Sequence, residues 1–434
     1  MPRATTDHHP ATRRGPRRPP RTPARWPAGR MIPHDRDEVL VALGDRRVKL
    51  TNLRKLFWPA LGITKGDLIR YYVDLAPILL PHLRDRAMVM RRYPDGAGGK
   101  SFFMKRAPTP RPDWLATCAI EHASGNVIDF PMIQDLAALL WVVNLGCIDL
   151  NQWYARCDDV DRPDYLHFDL DPTEGATFAQ VLKTARILHA TLDHLGMPSY
   201  AKTTGSRGVH VYVPIVRGPT QKEVWTVART ISVELARHHP QLITAEYSMA
   251  RRPRAHVLVD YNQNAWGRTL AAVYSVRPTP RAAVSTPVTW AEVERGLAID
   301  DFRLDNVRAR LEVQRQEVVV EQTKANVANN IRTQVANAAQ SRPQVEAAHR
   351  AVVTSQEIAD AEQVRWNLGF STLDNVFQKQ VDLVRAQATE IQVRVNYAKA
   401  IIAQEQAVGQ LQENHGIVFD DALRGTLWKG PPVK

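Results

Sequence analysis

A chain of 434 residues and 48.9 kDa is long enough for two or three domains, each with its own core. Its 44% hydrophobic and 24% charged content is ordinary for a globular protein; no apolar run reaches membrane-spanning length and the first thirty residues lack the apolar core of a signal peptide, so a cytoplasmic protein with no membrane partner is expected. Of the net charge of +12, Met1 to Arg30 supplies +7 through eight Arg and one Asp, so the basicity belongs mostly to the start of the chain and not to a folded nucleic-acid footprint.

Residues 1–36 read as a disordered leader, because RRGPRRPPRTP is too rich in Pro and Arg to fold. Two readings of it stand: a loose DNA-binding arm, or a segment ahead of a true start at Met31. A folded region is expected over 37–310. In ITKGDLIRYYVDLAPILL, Thr64 is placed as a helix N-cap with Asp67 three residues on. The next segment, MVMRRYPDGAGGKSFFMKR, interleaves cations with Phe102 and Phe103; paired exposed aromatics beside cations suit base stacking and phosphate contact, while core phenylalanines with solvated neighbours are the plain alternative. NVIDFPMI continues the short apolar segments and ALLWVVNLGC reads as a helix. Cys118, Cys147 and Cys157 are odd in number and form no C-x-x-C pair, which predicts buried reduced thiols and neither a disulfide framework nor a zinc site.

YLHFDLDP, Tyr165 to Pro172, alternates Leu166, Phe168 and Leu170 with His167, Asp169 and Asp171, the period of a strand. Asp169 and Asp171 therefore share a face about 6.5 to 7 Å apart. Two like charges on a core-facing side need something positive between them, and a divalent cation with oxygen ligands is the usual solution; the plain alternative is the solvent face of an amphipathic strand. A helix over FAQVLKTARILHATLDHLG leads to AKTTGSRGVHVYVPI. There Gly205 and Gly208 permit a tight loop whose amides can approach phosphate, with Ser206 and Arg207 as added donors, and His210 follows on the less apolar side of a strand. His210 is a triphosphate contact or a structural histidine. After a helix over KEVWTVARTISVELARHH, the run HVLVDYNQN ends on Asp260, a third carboxylate if its strand lies beside the first, or otherwise a turn former. Three carboxylates around one or two cations can hold a nucleoside triphosphate for in-line phosphoryl transfer. Strands and helices mix without regular βαβ spacing, so the fold class predicted is α+β with a mixed sheet.

From about Leu311 the composition changes. Gln, Ala, Val and Asn dominate, apolar residues recur every three or four positions, and Pro nearly vanishes. This predicts a long antiparallel helical hairpin of coiled-coil character over 311–417, turning at Gly369 in NLGFST, with Pro343 interrupting or kinking the first arm behind Ser341 as a cap. Residues 418–434 form a C-terminal tail.

Taken together, TNLRKLFWPALGITKGDL, FFMKR, FDLDP, TTGSRGVHVYVPI, VLVDYNQN, GRTLAAVYSVRP and STPVTWAEV resemble, in order, the polymerase domain of bacterial DNA ligase D, of the archaeo-eukaryotic primase superfamily, from about Val39 to Arg310. The resemblance implies a primase-like mixed-sheet core and metal-dependent, template-directed transfer of NTP or dNTP to DNA 3′ ends at gaps or breaks, in non-homologous end joining. It implies Mn²⁺ or Mg²⁺ held by Asp169, Asp171 and Asp260. Ser206, Arg207, His210 and Arg277 would handle the triphosphate, and Phe102 and Phe103 the incoming base or template. Asn52, Lys55 and Lys65 would grip a 5′-phosphate. Ku and a separate ATP-dependent ligase are the implied partners, since no K-x-D-G ligase motif occurs in the chain. Asn151, Val273, Arg91 and Arg207 depart from the residues usual in that family and bear on substrate preference. A non-catalytic DNA-end-binding module is the alternative reading.

The tail, through QVRWNLGFSTLDNVFQKQVDLVRAQ and VNYAKAIIAQEQAVGQLQENHGI, resembles the last helical hairpin of a TolC-like outer-membrane efflux protein. It lacks the other helices and every barrel strand. The expectation is two unrelated coding segments joined near Arg310, by gene fusion or assembly error, with self-association through the apolar seam of the hairpin.

Overall fold

The computed structural model describes residues 31–122 and 124–414. The expected disordered leader, apart from residues 31–36, and the C-terminal tail lie outside them. The chain divides into two compact units, Met1–Leu311 and Glu312–Lys434.

The first unit opens with β1 (Val39–Leu43) and β2 (Arg46–Leu50), then β3 (Leu56–Trp58), β4 (Ile63–Thr64) and helix α1 (Lys65–Leu83). Next come β5 (Met88–Arg92), β6 (Phe102–Met104), β7 (Thr117–Glu121), β8 (Val127–Pro131), α2 (Leu136–Asn144) and β9 (Cys147–Trp153). Strand β10 (Tyr165–Pro172) precedes α3 (Phe178–His194), β11 (Tyr200–Thr203), β12 (Val209–Pro214) and α4 (Gln221–His238). The unit closes with β13 (Ile243–Thr244), β14 (Val257–Asp260), β15 (Thr269–Ala271), β16 (Pro287–Val288) and α5 (Trp290–Arg295).

Helix starts follow local chemistry. At α1 the Thr64 side chain accepts from the Asp67 amide while the Asp67 carboxylate accepts from the Thr64 amide; Thr177 with Gln180, Thr220 with Glu223 and Thr289 with Glu292 repeat this reciprocal cap. Each satisfies donors that the first turn would otherwise leave open.

Two sheets carry the core. One has six strands in the order β13-β14-β10-β12-β11-β16, the other four in the order β15-β9-β5-β6. All pairs in both are antiparallel except β13 with β14, which is parallel, so the sheet is mixed and the α+β class holds. Strand β10 sits inside the larger sheet and is covered on both faces: Leu166, Phe168 and Leu170 pack into the core, yet His167 and Asp169 are also buried. The alternating strand is therefore no solvent-facing one, and the solvent-face alternative for Asp169 is excluded.

The cysteine expectation is corrected. Cys118 in β7 is disulfide-bonded to Cys157 in the loop before β10, and only Cys147 is free and buried among the described cysteines. Folding of the β7–β8 hairpin against that loop creates a proximity that spacing along the chain does not reveal.

The long helix α6 (Val307–Asn367) runs on into the second unit, where α7 (Leu373–Val408) returns against it. Gly369, at φ +81°, makes the turn, and Thr372 caps α7 through the Asn375 amide. Antiparallel contact is marked by His349 Nδ1 3.0 Å from Glu390 Oε1 and by Ser371 donating to Glu362. Pro343 does not interrupt α6, and the Ser341 hydroxyl bonds back to the Asn337 carbonyl instead of capping a new helix. The ladder loses one donor at Pro343 while the flanking turns stay intact. Among the described residues no helix is long and apolar enough to cross a membrane.

Candidate active site

The register of three neighbouring strands assembles the carboxylates. Asp169 lies directly opposite Asp260 of β14 on one side and His210 of β12 on the other. Asp171 follows two residues on, where Gly208 crosses: a Cβ there would stand 2.2 Å from Leu170 O and 3.2 Å from Asp171 Oδ1, so only glycine allows the loop to close over β10. Asp169 is 8% exposed, and its Oδ1 has no hydrogen-bond partner although His210 Nε2 lies 3.2 Å away, out of line for a bond. Asp260 accepts from the Asn262 amide at 2.8 Å and from Gln263 Nε2 at 3.3 Å, so it also forms the turn that a lone aspartate after a strand often makes.

Electrostatics matches this crowding. Burial pushes the Asp169 carboxyl up to about 6, against the pull of Lys202, Arg277 and Arg207. The charge of Asp169, then burial, pushes Asp171 up to about 7. Burial also raises Asp260 and holds His210 well below the usual imidazole range, leaving the ring neutral. Among the described residues no three His, Cys, Asp or Glu side chains stand ready-made around a common metal position.

The glycine loop is held from within. The Thr204 hydroxyl accepts the amides of Ser206, Arg207 and Gly208 at 3.1, 3.2 and 3.0 Å, leaving the Ser206 and Arg207 side chains exposed above the carboxylates. Gly205, at φ +66°, lets Arg277 pass, since a Cβ would meet Arg277 Cγ at 2.7 Å. Arg277 donates to Thr204 O at 3.0 Å and places Nε 3.1 Å from Asp149 Oδ1.

Asp149, Lys202 and Thr204 are site residues that the sequence motifs did not single out. Asp149 is 1% exposed in β9, receives the Tyr93 hydroxyl at 3.2 Å and faces Arg91 at 3.5 Å. Burial raises its carboxyl, opposed by Arg277 and Arg91. The signal available was one acid within the apolar run CIDL. Lys202, also buried, pairs in register with His210 and donates to Ser285; burial, then the Arg277 charge, holds its amine well below the usual lysine range.

Phe103, Arg91 and Asp149 form one row across β6, β5 and β9, with the Arg91 guanidinium 5.3 Å above the Phe103 ring. Phe102 pairs in the same way with Arg92 at 5.4 Å. Both rings are exposed, so the core alternative for them falls. Asn52, Lys55 and Lys65 meet at the start of α1: the Lys65 amide bonds Lys55 O at 2.8 Å and the Lys55 amide bonds Asn52 O at 3.1 Å. The Lys65 ammonium is buried, bonded to Thr51 O at 2.7 Å and Asn144 Oδ1 at 2.8 Å, and burial lowers it to about 8.

Comparison with known proteins supplies context for this geometry. The family model for the LigD primase-polymerase domain matches residues 64–318. The multifunctional non-homologous end joining protein LigD of Mycolicibacterium smegmatis is 32% identical over 268 residues, covering 61% of this chain and 35% of the relative. The bifunctional LigD of Bacillus subtilis is 29% identical over 269 residues, with 62% and 43% covered. The chain thus spans well under half the length of these relatives. Among solved structures, the polymerase domain from Mycobacterium tuberculosis ligase D in complex with DNA aligns with a TM-score of 0.58 at 29% identity, over 62% of this chain and 95% of that one.

Proposed function

As the chain belongs to the LigD primase-polymerase family, we propose that it is a metal-dependent nucleotidyltransferase that adds NTP or dNTP to DNA 3′ ends at gaps or breaks during non-homologous end joining. The observation that carries this reading is the register of Asp169 against Asp260, with Asp171 beside them and a buried Asp169 oxygen that nothing satisfies. An all-carboxylate donor set suits an oxygen-seeking divalent cation, and Asp169, Asp171 and Asp260 would hold Mn²⁺ or Mg²⁺. When bound, such a cation supplies charge neutralisation for the triphosphate and the departing pyrophosphate.

The protein groups then divide the work. Ser206, Arg207 and Arg277 would hold the triphosphate; neutral His210 would orient Asp169 or a phosphate oxygen without adding charge. Phe103, backed by Arg91, and Phe102, backed by Arg92, would stack the base or template. Lys55, Lys65 and Asn52 would receive a 5′-phosphate. Ku and a separate ligase would complete the repair in the cytoplasm. For the hairpin, whose TolC-like character rests on sequence motifs, self-association is the role proposed.

Extension of a gapped duplex bearing a 5′-phosphate tests this, with Mn²⁺ or Mg²⁺ and each NTP and dNTP. Asp169→Ala is expected to lower incorporation by at least about a hundredfold while the gapped duplex still binds. Equal binding with no incorporation by either protein would replace this reading by the end-binding module.

A further inference from the structure

The proposed nucleotide site draws its two ends from two sheets. The triphosphate end is the glycine loop after β11, where Arg277 donates from Nη1 to Thr204 O at 3.0 Å. The base end is the edge formed by β5 and β6, where the Arg91 guanidinium lies 5.3 Å from the centre of the Phe103 ring. One carboxylate stands between them. Asp149 of β9 is 1% exposed; it turns Oδ1 toward Arg277 Nε at 3.1 Å and Oδ2 toward Arg91 Nη1 at 3.5 Å, and the Tyr93 hydroxyl donates to Oδ2 at 3.2 Å.

Two cations facing one small site repel each other unless an anion lies between them, and a long flexible side chain keeps one rotamer only where something fixes it. Asp149 answers both needs. Removed from water, its charge acts on each guanidinium with little screening. Arg91 is held at a second point by Ser101, whose hydroxyl accepts from Nε at 3.2 Å. Phe103, Arg91 and Asp149 pair in register across β6, β5 and β9, so what holds Arg91 also holds the exposed ring beside it. A purely structural role fits less well. Burial raises the Asp149 carboxyl, so its charge lowers the stability of the fold, and a neutral side chain would serve packing better.

Given the nucleotidyl-transfer reading, on which this rests, we propose that Asp149 is a positioning residue: by fixing Arg277 and Arg91 at once it sets the span between the triphosphate grip and the stacking ring, and with it the fit of the incoming nucleotide. It acts through the two arginines and contacts no nucleotide itself.

The test is steady-state incorporation by the full chain on a gapped duplex, with KM and kcat measured separately for each NTP and dNTP. Asp149→Asn keeps the shape and removes the charge; KM should rise about tenfold or more while kcat falls less than about threefold. The melting temperature should hold level or rise. Asp149→Glu, which restores the charge, should recover most of the loss in KM. Tyr93→Phe deletes a single oxygen and should raise KM by a smaller factor, which keeps the assignment open to test if Asp149→Asn does not fold. Phe103→Ala should raise KM less in the Asp149→Asn chain than in the unaltered one, whereas two residues that do not touch otherwise act independently. An unchanged KM in Asp149→Asn and Tyr93→Phe, or independent effects of Asp149→Asn and Phe103→Ala, would overturn the assignment while the unaltered chain still incorporates. No incorporation by the unaltered chain would end both readings.

Discussion

At Lys65 an ammonium is kept in a space that does not favour it. Its pKa is lowered from 10.5 to about 8 by burial, so between those values the folded protein binds less proton than the unfolded chain. Stability therefore rises as pH climbs from about 8 to 10.5, and the penalty is in full force below 8. Lys65→Met should abolish that rise in urea midpoints measured across this range. A 5′-phosphate favours the charged amine, so the preference for phosphorylated over unphosphorylated gap ends should fall as pH passes about 8. A preference that holds flat to pH 10 would remove Lys65 from the proposed phosphate pocket. The three acidic positions were legible because Asp169, Asp171 and Asp260 each end an apolar run, a pattern the eye can follow. Asp149 and Lys202 were not, since each is one polar residue whose meaning comes from Arg277 or Asp169 far along the chain.

Of the helix starts, T-K-G-D was read from the sequence, and three others of the same form were equally open to reading. T-K-G-D, T-F-A-Q, T-Q-K-E and T-W-A-E all begin helices, because the cap is a local bargain between a hydroxyl, a carboxyl or amide and two backbone donors. Pro343 was misleading for the opposite reason: a local breaker is overridden when the flanking turns are long enough. At α5 the cap has a second partner. Glu292 accepts from both terminal nitrogens of Arg310, which with the Thr289 cap lowers it to about 2. A depressed carboxyl stabilises fully above its unfolded pKa near 4.5 and loses that effect as pH falls through about 2. Glu292→Gln should thus cost about 1–2 kcal/mol at pH 7, allowing for solvent around the pair, and only a small part of that at pH 2, where the folded carboxyl is half protonated. Chemical denaturation at the two pH values checks this.

Over the whole molecule the contrast lies in how much each unit buries. The first has a continuous core running through both sheets, whereas the hairpin buries little more than Ala338, Ala359, Val376 and Leu383. At its tip Leu368, Phe370, Leu373 and Phe377 are all more than 60% exposed. Such a surface is stable when covered. Light scattering should give an oligomer for the full chain and a monomer for a chain ending at Arg310; equal monomeric masses would end the self-association idea. The α+β class was legible from segment order alone. The Cys118–Cys157 bond was not, because it depends on where a hairpin folds back.

The Thr204 hydroxyl, already holding three amides, also decides how the loop above the carboxylates can treat an anion. Its backbone is a finished knot and not an open cradle. Whatever grip it offers must come from the Ser206 hydroxyl and the Arg207 guanidinium, which read charge more than outline. In the proposed reaction, nucleotide capture there is a matter of ionic attraction: KM should climb with added salt, and the number of phosphates should count for more than the identity of the sugar.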